Sequence, residues 1–209
     1  MARYGPEHKE AARRRIIEAA DHRFKADGID GSGVATLMAD AGLTNGAFYG
    51  HFASKNDLVA TVVAYQMADQ VARVSALPAG LDSLERFLQE YLSPAHRDDR
   101  MGGCPSAALL DEIGRCDDAT KQAYSAGVES MINAIARHLD DGDPESARQR
   151  AIGLYALLAG ALQAARAVAD SEFSDSILAA AYRNAMAMAT GTLQHTDQER
   201  SATKAEDQQ

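Results

Sequence analysis

Thr44, Asn45, Tyr49 and His51 fall within eight residues, with Lys55 four positions on, and Gly46 and Ala47 between them add almost no bulk. These side chains donate and accept hydrogen bonds; they make no obvious machinery for breaking bonds. An Asn amide can read the donor and acceptor edge of adenine in a major groove, while Thr, Tyr, His and Lys can donate to phosphate. Small neighbours let the groove come close. Such chemistry needs all of these groups on one outward face of a short, rigid element.

The flanking pattern supplies that element. Val34, Leu37, Met38 and Ala41 follow the i, i+3, i+4, i+7 spacing of a helix with one buried stripe. Gly42 provides the left-handed backbone position that ends a helix without a steric penalty. Thr44 then opens a second helix running to His51, with Ala47, Phe48 and Phe52 packed back against the first. This is the layout of a DNA-reading helix-turn-helix. A plain surface hairpin in an all-α protein has the same spacing, so the neighbours decide between the two. Ser54 and Asp57 form a capping box that opens a further helix through Leu58, Val62 and Tyr65. Lys55 lies at that helix start, where the helix dipole repels it and a phosphate is the better partner. Upstream, Arg13-Arg14-Arg15 begins a helix with the stripe Ile16, Ile17, Ala20 and Phe24, ending at Asp27-Gly28. Three helices thus form a small head over residues 1–56.

The runs Ile17-x-x-Ala20-x-x-x-Phe24-x-x-x-Gly28 and Ala41-Gly42-Leu43-Thr44-Asn45-Gly46-Ala47-Phe48-Tyr49-Gly50-His51-Phe52-x-Ser54-Lys55-x-x-Leu58 resemble the DNA-binding domain of TetR-type transcriptional regulators. The resemblance covers roughly residues 10–60. It implies a homodimeric, all-α repressor that binds a palindromic operator in double-stranded DNA and whose larger C-terminal domain takes a small effector. By position, the family's phosphate-contacting tyrosine and lysine fall on Tyr49 and Lys55, and its recognition helix on Thr44 to His51. Gly33 departs from the pattern, since the family usually has Ser or Thr opening the second helix; Ser32 is the cap expected in its place.

An acidic chain is a poor partner for phosphates unless its charge is unevenly spread. The net charge is −9, from 21 basic and 30 acidic residues, yet residues 1–60 carry eight of each. Arg3, Lys9 and Arg13 to Arg15 put five basic against two acidic residues in the first fifteen, and are expected to form a mobile arm along the DNA backbone. The acidic remainder opposes non-specific approach, so a salt-sensitive, specific binder is expected. The opening Met-Ala-Arg-Tyr-Gly-Pro-Glu-His-Lys-Glu lacks the apolar core of a signal peptide, and two widely spaced cysteines argue against a disulfide scaffold or a zinc site. A reducing cytoplasm fits.

Residues 57–194 read as helices with short breaks, an effector-binding and dimerisation domain followed by a polar, disordered tail over 195–209. One helix covers Leu81 to Leu92 and stops at Ser93-Pro94; a loop at Arg97 to Arg100 leads to Gly102-Gly103-Cys104-Pro105 and another helix. A long helix follows Asp117 or Asp118. Asp143 and Pro144 open the next as cap and first residue. From Ala151 to Ala169 the only strongly polar residues are Gln163 and Arg166, which marks a buried helix; an Arg at mid-membrane would cost about 2.5–3.5 kcal/mol, so no membrane span is expected. Gly153, Ala156, Gly160 and Ala164 allow close helix approach, and Leu178, Tyr182 and Ala185 supply a facing stripe. The simplest account is a four-helix interface between two copies, with an intramolecular core as the alternative.

The effector is harder to read. Phe87, Tyr91, Met101, Cys104, Leu109, Tyr124, Met131 and Tyr155 come from different helices and are expected to line an apolar pocket, although core packing explains each singly. Gly103-Cys104 resembles a subgroup of the same family that includes electrophile-responsive repressors. Pro105 places Cys104 near a helix start, where a thiolate is favoured; the alternative is a small buried hydrophobe. Enzyme motifs are missing: Gly28, Gly31 and Gly33 do not make G-x-G-x-x-G, the six His lack metal spacing, and Asp111 and Glu112 point apart on a helix. No cofactor or metal is expected. An effector-independent regulator or an activator, and more remotely a cofactor-free helical enzyme, are the rival readings.

Overall fold

The computed structural model describes residues 6–139 and 142–192, and among them it is helical and turn structure without strands. The expected tail at 195–209 lies outside the described residues, as does Arg3. The helices are α1 (Pro6–Asp27), α2 (Val34–Asp40), α3 (Lys55–Ser75), α4 (Leu81–Tyr91), α5 (Pro94–Asp98), α6 (Pro105–Arg115), α7 (Asp118–Ala136), α8 (Pro144–Ala167) and α9 (Ser171–Ala189), with a 3₁₀ segment at Asn45–Gly50. The chain divides into two compact units, residues 1–73 with 99–130, and residues 74–98 with 131–209.

In the first unit one apolar core gathers the α1 stripe, Leu37 and Met38 of α2, Phe48, Phe52, Leu58 and Val62, with Leu109 and Ile113 of α6. Each fully buried Leu, Ile or Phe contributes about 1.5–3 kcal/mol relative to exposure, so this cluster dominates the unit's stability. Gly42 sits at φ +67°, and the Gly42 and Leu43 amides turn back to the carbonyls of Ala39 and Met38 at 2.9 and 2.8 Å. That closes α2 and sets the angle of the turn. Lys9 and Arg13 to Arg15 belong to α1, which begins at Pro6, ahead of the start at Arg13 expected from the sequence; they are helix surface, not a mobile arm. Ser32 does not cap α2: its hydroxyl donates to the Gly28 carbonyl at 2.7 Å, and Gly33 occupies the cap position.

The second unit is built on the α8–α9 hairpin. Asp143 caps α8 by accepting from the Glu145 and Ser146 amides at 3.1 and 3.2 Å, and Asp170 caps α9 through the Phe173 amide at 2.7 Å. The buried Arg150 guanidinium donates to the carbonyls of Leu139 (2.6 Å) and Ala189 (2.9 Å), groups that helix ends leave without intrahelical partners. Residues 94–98, partly read as loop from the sequence, form the short α5. Arg166 holds it by donating to the His96 and Arg97 carbonyls at 2.9 and 3.0 Å, and the Arg97 guanidinium reaches Asp175 at 2.6 Å. Among the described residues no helix, α8 included, is long and apolar enough to cross a membrane.

Candidate nucleic-acid interface

Thr44 to Gly50 form a short bracket held from behind. The expected α-helix is instead 3₁₀, with i to i+3 bonds from Ala47 to the Thr44 carbonyl and from His51 to the Phe48 carbonyl at 3.0 and 2.9 Å. Gly46 and Gly50 make a poor α-helix of so short a run, and 3₁₀ turns are common in such lengths. Thr44 stands at the cap with extended backbone, but its side chain makes no capping bond. Phe48 is fully buried and stacks on Phe52 with ring centres 5.8 Å apart. Its neighbour Tyr49 is 77% exposed. Thr44, Asn45 and Gly46 are exposed beside it, with Ala47 half-buried, so the open side is the one expected to meet DNA.

Two cations approach this face from α1. The Arg13 guanidinium lies 4.8 Å from the Phe52 ring centre, a cation–π distance, and Lys9 and Arg13 both act on His51. Burial first, and then those two positive charges, hold the His51 imidazole below its ordinary pKa, and its Nδ1 is buried without a hydrogen-bond partner. A neutral His51 in the fold takes up its proton more readily when unfolded. Its contribution to stability is therefore fully present above about pH 6.5, the ordinary value, and is lost as pH falls from there through the lower folded value.

The start of α3 holds the element's far edge. Ser54 Oγ accepts from the Asp57 amide at 3.1 Å as expected, while the return bond of the box, to the Asp57 carboxylate, comes from the Ala53 amide at 2.9 Å rather than from Ser54. Lys55, expected to seek phosphate, donates its Nζ to the Ile29 carbonyl at 2.6 Å in the free protein. An ammonium has three donors, so this bond leaves capacity for an anion.

Residues 16–62 match the family model for bacterial regulatory proteins of the tetR family. That stretch of the chain carries the DNA-binding domain of this family. A probable HTH-type transcriptional regulator of Pseudomonas putida, ArpR, is 35% identical over 86 residues, a match covering 40% of this chain and 41% of that protein's length. An uncharacterized HTH-type transcriptional regulator of Mycobacterium tuberculosis is 24% identical over 166 residues, covering 76% and 86%. The reduced form of Escherichia coli NemR shares the fold, with a TM-score of 0.70 at 21% identity over 81% of this chain and 94% of that one. The N-terminal helix-turn-helix is thus that of the family's DNA-binding domain, and the all-α fold is the one that the solved structure shares.

The other expected site residues lie apart from one another. On the hairpin, Ala156, Gly160 and Ala164 are exposed along one strip of α8 with Ile152, and Phe173 of α9 is 58% exposed. Leu178 and Ala185 are instead buried within the chain, Tyr182 is turned to α4 where its hydroxyl donates to Glu85 at 2.9 Å, and a Cβ on Gly153 would meet Met188 Cε. The expected interface stripe on α9 therefore packs inward, because α8 needs an apolar partner within its own chain. Of the eight expected pocket residues, Met101, Cys104, Leu109 and Tyr124 belong to the first unit and Phe87, Tyr91, Met131 and Tyr155 to the second. Leu109 is part of the first unit's core, Met101 is 53% exposed, and Tyr124 donates to Ser106 Oγ at 3.1 Å. Phe87 and Tyr91 pair with ring centres 5.8 Å apart.

Neither cysteine forms a disulfide. Cys104 is buried at the start of α6, where its side chain makes no capping bond, and Cys116 ends that helix. Burial, followed by the charges of Asp117, Asp30 and Glu112, raises the Cys116 thiol pKa and keeps it protonated. Among the described residues no group of His, Cys, Asp and Glu is placed to hold a metal. The Glu112 carboxylate accepts from the Ile29 amide in the loop after α1, a pairing that no spacing in the sequence announces.

Proposed function

We propose that this chain is a dimeric repressor that holds a palindromic operator and leaves it when a small hydrophobic or electrophilic effector binds. The observation that carries the reading is the contrast between neighbours: Phe48 is buried while Thr44, Asn45, Gly46 and Tyr49 are open, so the core presents a small polar face. Asn45 would read a base, with Tyr49, His51 and Lys55 on phosphates. The open strip Ile152, Ala156, Gly160 and Ala164 supports pairing with a second copy, because small residues let helices approach closely. Two reading elements would then meet half-sites about one turn, roughly 34 Å, apart or a multiple of that. The effector would change that spacing by moving α3, whose first residue is Lys55. A hydrophobic effector is the class that the apolar side chains Phe87, Tyr91, Met131 and Tyr155 of the second unit would suit.

Footprinting of the purified protein on genomic fragments tests this reading. A protected palindrome whose protection a hydrophobic or electrophilic compound relieves is expected; protection that no compound relieves would favour an effector-independent regulator. A protein that sediments as a monomer would overturn the dimer. Asn45→Ala should change base preference at one operator position by about 1–3 kcal/mol, measured by binding to single-substituted operators. Equal weakening on every operator would remove Asn45 from base reading. Phosphate beside His51 should raise its pKa, so the complex binds a proton and affinity grows as pH falls from about 7.5 to 6. His51→Gln should flatten that slope in titrations at fixed ionic strength.

A further inference from the structure

The loop between α1 and α2 is gripped by two other helices of the first unit at once, α3 and α6. Glu112, on α6, places a single oxygen, Oε2, against two consecutive amides, Ile29 at 2.7 Å and Asp30 at 3.1 Å. The loop is shaped to receive it. Gly28 adopts φ +82°, and a Cβ there would lie 2.7 Å from Glu112 Oε1. Ser32 braces the loop internally through the Gly28 carbonyl, and the Ile29 carbonyl takes the Lys55 ammonium at 2.6 Å. Carboxylate to Ile29 to ammonium is thus a continuous path of charge-assisted bonds, and these are about twice as strong as neutral ones. α6 is also fixed to the same core as Phe48 through Leu109 and Ile113. Any shift of α6 that moves the carboxylate therefore tugs the loop that leads into α2 and carries the Lys55 acceptor.

We propose that Glu112 is a positioning residue for operator binding: by holding the Ile29 and Asp30 amides it sets where the Ile29 carbonyl, and so Lys55, stand when DNA arrives. The inference rests on the DNA-binding reading above and adds α6 as the helix that sets the phosphate contact. Glu112→Gln keeps the shape but gives up the charge, and half-buried Glu112 lies outside the Phe48 core, so the fold should survive.

The experiment uses the full-length protein and the operator recovered by footprinting. In free wild type, hydrogen exchange at the Ile29 and Asp30 amides should be slow; in Glu112→Gln it should be at least several-fold faster, and operator affinity should fall about three- to tenfold. Lys55→Met should weaken binding as well, and the double variant should be no worse than about twofold beyond the weaker single one, because both act on one contact. A purely structural glutamate would leave the two effects independent. Faster amide exchange with unchanged operator affinity would overturn the proposal, as would fully additive losses. Wild type that binds no DNA would instead fail the underlying reading and remove this one with it, an outcome distinct from intact wild-type binding that Glu112→Gln does not alter.

Discussion

Phe48→Ala should abolish operator binding by unseating the reading element. Phe48 is fully buried, stacks on Phe52, and meets Tyr49 edge-on with ring centres 5.2 Å apart. It is also the acceptor for the His51 and Phe52 amides, so the 3₁₀ segment closes on its carbonyl. The backbone bonds survive the substitution in principle, but the ring that anchors them does not. Truncating a buried Phe costs about 3–5 kcal/mol, from lost transfer energy and the cavity left behind. Against a total stability of about 5–15 kcal/mol for a domain, that is a large fraction. Urea unfolding should show the loss, and binding should vanish even where the variant is still mostly folded. A variant within about 1 kcal/mol of wild type would mean that Phe52 and Leu43 hold the segment without it.

Tyr49 is the converse case, one residue along. Its side chain is 77% exposed, so Tyr49→Ala should change unfolding stability by about 1 kcal/mol or less, the worth of its edge contact with Phe48. A hydrogen bond to a charged phosphate contributes about 1.5–3 kcal/mol, so operator affinity should fall about ten- to hundredfold. The loss should be similar on every operator sequence, since phosphates carry no sequence information. Tyr49→Phe keeps the ring contact and removes only the hydroxyl. It should reproduce most of the loss, measured by fluorescence anisotropy at one salt concentration. Wild-type affinity for Tyr49→Phe would take the hydroxyl off the DNA backbone.

The pair shows how far local sequence reaches. Phe48 and Tyr49 are adjacent aromatics of similar size, and only their register against Val34, Leu37, Met38 and Ala41 assigns one to the core and one to solvent. That register is local, so it was legible. So were the caps at Ser54 and Asp143, because capping uses residues within one helical turn. The 3₁₀ geometry of Asn45–Gly50 was not legible as such, since an α and a 3₁₀ turn of six residues bury nearly the same side chains.

The sequence by itself determined the helical class, the reading head with its open Thr44, Asn45 and Tyr49, and the glycine stops at Gly28 and Gly42. These rest on periodicity and backbone sterics that act over a few residues. Only the tertiary structure decided which apolar faces the chain consumes itself: Leu178 and Ala185 are spent on its own core, while Ala156, Gly160 and Ala164 stay open. An apolar stripe states that a helix needs a partner and not whether that partner is its own chain. Only the structure, too, brought Glu112 to Ile29 across 83 residues and Lys55 to the same loop. Such pairings follow from how whole helices pack, and a hydrogen bond formed at that distance along the chain leaves no periodic trace in it.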